Sequence, residues 1–355
     1  MNFALYPWLK EPFETFVSAL SGNRLPGSVI FSCPNGLGGP SLAFAAARAA
    51  LCLDHKDGSA CACRSCELMN AGTHPDYLRV RASDAAMAHD GLDLTHSPFD
   101  SDDEDVSPSR VVRIDALRQM SSFLNESASL GWGKCAVISE AQLMRQDAAS
   151  AVLKTFEEPP QNTLIIMMAT SLDLMLPTIL SRAFKIQVHV PAKEQGVAFI
   201  RQSLGNCPDE QASLALCLAG GAPLGALDLL KGDEGTSQIA GVLAALSAFA
   251  QALDAHGAAD GAVNALLKLS PDLRVRVLSE FVLEDLKYKA GVRIERLPLL
   301  ALLPCQKTAL LSADHLMNAY RTLQTFRGGT DLMPPRAPAA MMRAWVNALK
   351  GKDVI

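Results

Sequence analysis

The stretch that decides the fold is residues 28–53, SVIFSCPNGLGGPSLAFAAARAALCL. It opens on a short apolar run, Val29-Ile30-Phe31, passes through a Pro/Gly-rich turn from Cys33 to Gly39, and continues as an alanine-rich amphipathic segment. A buried strand, a tight turn and a helix in that order make the frame of a phosphate-binding loop, G-x-x-x-x-G-K-[ST]. Superposed on that pattern, Cys33 stands at the first glycine and Gly38 at the second, with Gly36 inside the turn. Gly39 falls where the lysine belongs and Pro40 where the hydroxyl belongs. Gly39 has no charge to offer a phosphate, and Pro40 has neither a hydroxyl nor a backbone N–H. The scaffold is kept and its chemistry is missing.

Outward from the loop, strand and helix signals alternate. Phe13, Phe16, Val17 and Leu20 recur at helical spacing over residues 11–21, and residues 77–80 can return to the sheet as a second strand. Residues 111–114 read as a short strand, and Asp115 as the cap of a helix running to about residue 126. KCAVIS (134–139) and TLIIMMA (163–169) are continuous apolar runs, the mark of parallel strands buried on both faces. Between them, residues 146–158 form a helix stopped by Pro159-Pro160, and residues 183–190 supply a last strand. This alternation predicts an α/β domain with a mostly parallel sheet. After Pro191 the strand signal ends. Three short helical patterns occupy residues 193–231, and long helices broken by Gly257, Pro271, Pro298, Pro304 and Gly328-Gly329 follow.

Bulk properties bound the function. The chain has 355 residues, 49% hydrophobic and 19% charged, enough for two or three domains with proper cores. A formal net charge of −5 argues against general nucleic-acid binding. No apolar run reaches the roughly 20 residues that span a bilayer. The opening MNFALYPWLKEPFETF lacks the layout of a signal peptide. Nine cysteines then suggest a reducing cytoplasm, where clustered thiols more often hold metal than pair as disulfides. Residues 82–109 carry eight Asp/Glu and no Lys or Arg, and read as an acidic, largely disordered surface loop.

Four further segments occur in order: YPWL (6–9), GTHPDY (72–77), DAASAVLKTFEEPPQNT (147–163) and TILSRAFKI (178–186). Together they resemble the bacterial clamp-loader subunits, members of the extended ATPase (AAA+) family that load the sliding clamp for the replicative DNA polymerase. The degenerate loop makes the chain similar to the delta-prime type rather than the ATP-hydrolysing gamma/tau type. The resemblance implies an AAA+-like α/β domain at 1–190, with a zinc knuckle at 52–66, a helical lid at 191–235 and a helical collar at 236–355. It implies as partners the gamma/tau and delta subunits in a five-membered ring and, through them, the sliding clamp and primer-template DNA. On this expectation the chain is a non-hydrolysing, stator-like part of the DNA polymerase III holoenzyme, in the cytoplasm and away from membranes. A self-sufficient AAA+ ATPase motor and a zinc-dependent DNA-binding protein are the competing classes.

The same resemblance assigns roles residue by residue. The family's metal-binding Asp-Glu-Ala reads Ser139-Glu140-Ala141 here, so the aspartate is gone and the glutamate position survives. A lid arginine that would sense the γ-phosphate is expected within GGAPLGALDLL (220–230), where Leu224 stands. With Gly39 and Pro40, these losses predict no functional ATP/Mg²⁺ site. Ser181-Arg182-Ala183 keeps the arginine of the family's Ser-Arg-Cys sequence, which implies an arginine finger delivered in trans to ATP on a neighbour. The alternative is an ordinary surface arginine. For metal, Cys63-x₂-Cys66 has the common zinc spacing. Cys61-x-Cys63 is one residue short of the usual pair. The implied structural Zn²⁺ set is Cys52, Cys61, Cys63 and Cys66, with His55 and His74 as substitutes and reduced thiols as the alternative. Cys33, Cys135, Cys207, Cys217 and Cys305 read as core fillers.

Overall fold

The computed structural model describes residues 5–22, 24–54, 61–84, 92–93, 110–130, 133–231, 238–254 and 260–302, together with positions 314 and 317. The chain divides into two compact units, Met1–Val190 and Pro191–Ile355. The first contains α1 (Lys10–Ser21), β1 (Ser28–Ser32), α2 (Gly39–Leu51), α3 (Arg64–Ala71), β2 (Tyr77–Val80), β3 (Ser83–Asp84), β4 (Leu92–Asp93), β5 (Arg110–Val111), α4 (Ile114–Asn125), β6 (Lys134–Ile138), α5 (Gln146–Glu157), β7 (Thr163–Ala169), α6 (Pro177–Leu180) and β8 (Phe184–Gln187). The second contains α7 (Lys193–Leu204), α8 (Asp209–Leu218), α9 (Pro223–Leu230), α10 (Gln238–Asp254), α11 (Asp260–Leu267) and α12 (Pro271–Lys289).

The expected parallel sheet is present. Its order is β4-β2-β6-β7-β1-β8; all neighbours run parallel except β4, which pairs antiparallel with β2 at the edge. β1, β2 and β6 are buried at every position. Such strands need cover on both faces. Leu117, Met120 and Leu124 of α4 and Val152 and Phe156 of α5 pack with Ile30, Ile138 and Ile165 on one face. On the other, Phe16 of α1 meets Phe31 at 5.7 Å between ring centroids, while α2 crosses β6 and β7. The chain leaves β1 for distant β2 and later returns to β7 and β8 on either side of it. That reversal of strand order opens a crevice at the carboxyl end of β1, the usual ligand position in open α/β sheets.

Two expectations are corrected locally. Asp115 does not cap α4: the cap position is Arg113, and Asp115 lies in the first turn, 3.6 Å from Arg118. Its carboxylate suits the positive end of the helix dipole there as well as it would suit the cap. The strand expected at 111–114 is only Arg110–Val111, because Ile114 already opens α4. It pairs with β3 in a separate two-stranded ribbon. In the acidic stretch 82–109, Ser83–Asp84 and Leu92–Asp93 pair as strands, while most of the remainder lies outside the described residues.

The regular elements of the second unit among the described residues are all helices. Ile200 of α7, Leu214 and Leu218 of α8, Ala226 of α9, Val242 of α10, Val263 of α11 and Phe281 of α12 belong to one shared core. The expected break at 235/236 lies outside the described residues, as does Cys305. No single helix among the described residues is long and apolar enough to cross a membrane.

Candidate nucleotide, arginine and metal sites

The loop after β1 is built as the sequence suggested and then sealed. Gly36 and Gly38 take φ of 75° and 84°, the left-handed region that glycine enters without penalty. Gly38 thereby turns the chain into α2. Cys33 donates its N–H to Ala169 at 2.8 Å, tying the loop to the end of β7. Cys33 and Gly39 are buried, and a Cβ added to Gly39 would lie 3.2 Å from Met168 Cε and 3.4 Å from Cys33 Sγ. From outside, Trp8 donates its indole N–H to the Leu37 carbonyl at 2.8 Å. Tyr6 stacks on Trp8 at 5.2 Å. The YPWL segment is thus a clasp over the loop.

At the end of β6, Ser139 and Glu140 are likewise engaged within the chain. Arg79, buried on β2, donates Nε–H to Ser139 Oγ at 2.8 Å. Glu140 accepts the Ala82 N–H at 3.0 Å. A fixed guanidinium therefore lies against Ser139. This donor set does not fit a divalent cation: Ser139 has no charge, and its hydroxyl already accepts from a cation. Leu224 belongs to the second unit, half-buried on α9.

Arg182 lies at the opposite end of the same strands. It precedes β8, whose Phe184 pairs with Val29 at the start of β1, and its carbonyl accepts Ser28 Oγ–H at 3.3 Å. The loop leaves the other end of β1. A five-residue strand rises about 3.3 Å per residue, which separates the two ends by roughly 16 Å. The guanidinium donates from Nη1 to the Thr178 carbonyl at 2.8 Å and Ser181 Oγ at 3.2 Å, and Nη2 forms an ion pair with Glu157 Oε1 at 2.5 Å. Ser181 hydrogen-bonds the Thr178 carbonyl at 3.1 Å, squaring off the turn.

The four cysteines of the knuckle converge. Their sulfurs lie within 4.8 Å of one another, with Cys52 and Cys63 at 3.8 Å. A tetrahedral zinc with sulfurs at about 2.3 Å requires S···S separations of about 3.8 Å, so the set fits a closed structural site. The short Cys61-x-Cys63 spacing is accommodated by a local turn in which the Cys63 N–H bonds Cys61 Sγ at 3.3 Å. Burial pushes the Cys63 thiol up, but backbone hydrogen bonds from Cys66 and Leu53 and the neighbouring thiols outweigh it and bring it down to about 6. Burial, then the thiols of Cys63 and Cys52, raises Cys66.

His74 is not drawn into that cluster. Its Nδ1 accepts the Asp76 N–H at 3.0 Å, which leaves Nε2–H to donate to Ser65 Oγ at 2.8 Å. Ser65 in turn donates to the Leu51 carbonyl at 2.8 Å. The histidine expected as a substitute ligand instead fastens α3 to the end of α2, on either side of Cys52 and Cys66. His55 lies outside the described residues. Asp76, fully buried, accepts the Ser129 and Leu130 N–H groups at 2.7 and 2.9 Å and anchors the approach to β6. Cys33 and Cys135 are buried, as core fillers should be. Cys217 has a polar partner, Glu284, at 3.6 Å.

The sequence match to known proteins follows the same segments. Residues 8–192 match the family model described as DNA polymerase III, delta subunit. DNA polymerase III subunit delta' of Escherichia coli strain K12 is 30% identical over 230 residues, 64% of this chain and 62% of that protein. The subunit delta' of Pseudomonas aeruginosa is 28% identical over 222 residues, 62% of this chain and 60% of that protein. That of Yersinia pestis is 27% identical over 311 residues, 83% of this chain and 81% of that protein. The match thus spans about three fifths of the first two relatives. With the parallel sheet, the loop after β1 and the matched first unit in agreement, the chain belongs to the DNA polymerase III delta subunit family, on its delta' side.

Proposed function

We propose that this chain is a non-hydrolysing subunit of the DNA polymerase III clamp loader, and that it supplies Arg182 to ATP bound on a neighbouring subunit. One observation carries the reading: Arg182 lies at the amino end of β1 and β8, while the chain's own loop leaves the carboxyl end of β1. An arginine so placed is too far to serve its own loop and is accessible to another molecule, with 35% of its side chain exposed. A guanidinium delivered across an interface stabilises charge on a transferring phosphoryl group, an effect worth roughly 10³–10⁵ in rate in other nucleotide hydrolases. The inward hydrogen bonds of Ser139 and Glu140, with Gly39 and Pro40 in the loop, support the absence of hydrolysis in cis.

In this reading Pro191 opens a helical lid (191–235) followed by a collar (236–355) that packs against the collars of gamma/tau and delta subunits in a five-membered ring. The sliding clamp and primed DNA are reached through that assembly, in the cytoplasm. Cys52, Cys61, Cys63 and Cys66 hold a structural Zn²⁺, which fastens α2 to α3. Purified protein is expected to contain one zinc per chain. Stripping the metal with a chelator should lower the melting temperature by several degrees, on the order of 1–3 kcal/mol for a domain of this size. A zinc content near zero with no change on chelation would remove that assignment.

Reconstitution tests the main reading. The isolated chain should not turn over ATP, and its addition to gamma/tau and delta subunits should yield a complex with primer-stimulated ATPase. Turnover by the isolated chain, or no assembly with those subunits, would contradict it.

A further inference from the structure

We infer that Glu157 is the positioning residue of Arg182, holding its guanidinium in the orientation offered to a partner's phosphate. The inference rests on the reading of Arg182 proposed above and assigns a residue that the sequence motif does not single out.

Arginine has five N–H donors in a planar fork. In Arg182 the two Nη1 donors go to Thr178 and Ser181, both within its own turn. Nη2 is ion-paired with Glu157, at the end of α5. Among the described residues Nε–H takes no hydrogen-bond partner, and Nη2 has only this ion pair. Glu157 is therefore the one anchor among the described residues that ties the guanidinium to a different element, and it leaves Nε–H and the Nη2 donors to be offered to a phosphate. Charge-assisted pairs of this kind are shorter and stronger than neutral hydrogen bonds.

The anchor is itself held by the fold. Phe156, one residue earlier, is 2% exposed within the core under the sheet, so its neighbour faces outward. Pro159-Pro160 stop the helix, and Glu158 closes the last turn through its N–H to Lys154 O at 2.9 Å. Pro159 packs against Gly27 so closely that a Cβ there would lie 2.2 Å from Pro159 Cγ. The backbone beneath Glu157 is thus pinned to the start of β1, the strand end that also receives the Arg182 carbonyl. Both side chains remain substantially exposed, 45% for Glu157 and 35% for Arg182. Exposed ion pairs contribute little to folding. The pair's geometry is therefore better accounted for by presentation than by stability.

The test is steady-state ATP turnover by the complete reconstituted complex, with Glu157→Ala, Glu157→Gln, Glu157→Asp, Arg182→Ala and the Glu157→Ala/Arg182→Ala double variant. Without its distant anchor the guanidinium redistributes among staggered side-chain wells, which lowers kcat about three- to tenfold. KM for ATP should stay within about twofold of wild type, since substrate binds on the neighbour. Glu157→Gln and Glu157→Asp should fall between Glu157→Ala and wild type. The double variant should match Arg182→Ala alone, because the glutamate acts only through the arginine. Wild-type kcat in Glu157→Ala, beside a low kcat in Arg182→Ala, would overturn this inference while leaving the role of Arg182 intact. A further loss on the Arg182→Ala background would also overturn it, by revealing a structural role. An unchanged kcat in Arg182→Ala would overturn the reading beneath it.

Discussion

The two ends of β1 differ in where their polar groups point. At the carboxyl end, the groups around the former phosphate loop are turned inward: Trp8 donates to the Leu37 carbonyl, Arg79 to Ser139 and Ala82 to Glu140. At the amino end, Arg182 is held by two hydrogen-bond acceptors and the Glu157 carboxylate, and still has donors left over among the described residues. A phosphate site needs donors that are oriented but not yet satisfied. On the proposed reading, the first end serves as scaffold and the second as a site. The comparison also explains why so much of the loop frame survives without its lysine. Strand, turn and α2 are the centre of the sheet's packing, and that role depends on glycines and apolar residues rather than on charge.

Substitutions can break this contrast, and the largest expected effect is at the amino end. Gly27→Ala places a Cβ against Pro159 at a φ of 84°, combining overpacking with a left-handed backbone. A loss of about 2–4 kcal/mol in denaturant unfolding is expected. A change below about 0.5 kcal/mol would show that Pro159 yields freely and that the support under Glu157 is soft. At the carboxyl end, Trp8→Phe keeps most of the buried ring and deletes its bond to Leu37. Thermal or chemical melts should show a loss of about 1–2 kcal/mol, including the cost of an unpaired carbonyl. The smallest effect tests whether the dead end can be revived. Gly39→Lys with Pro40→Ser restores the lysine and the hydroxyl of the motif, with Cys33 still at its first glycine, yet Ser139 remains uncharged beside Arg79. The isolated double variant should show no ATP turnover above background in a phosphate-release assay; measurable turnover would mean that the loop alone was the defect.

The fold was legible where burial writes itself into consecutive residues. TLIIMMA forms β7 over Thr163–Ala169, and residues 77–80 form β2, because strands covered on both faces need no polar alternation. The turn after β1 was legible because the pattern fixes the spacing of glycines around it. The convergence of four cysteines followed from their clustering in the chain. What escaped were the partners. Ser139 and Arg79 are 60 positions apart and Trp8 and Leu37 are 29 apart, and no local periodicity links such residues. Glu157 reads simply as part of a helix end, and only the packing of α5 against α6 brings it to Arg182. His74 shows the converse: proximity to the cysteines suggested a ligand, whereas its two ring nitrogens serve Asp76 and Ser65. Asp115 misled for an electrostatic reason, since the cap and the first turn of a helix favour the same side chain.

The central claim is that this chain's contribution lies at its outward arginine rather than at its own loop. The most direct measurement is kcat for ATP hydrolysis at saturating nucleotide and primed DNA, in complexes reconstituted with wild-type or Arg182→Ala chain and matched for assembly by size-exclusion chromatography. A trans-acting arginine predicts a fall of at least about tenfold, with assembly unchanged and the melting temperature of the subunit within a few degrees. Equal turnover in the two complexes would contradict it.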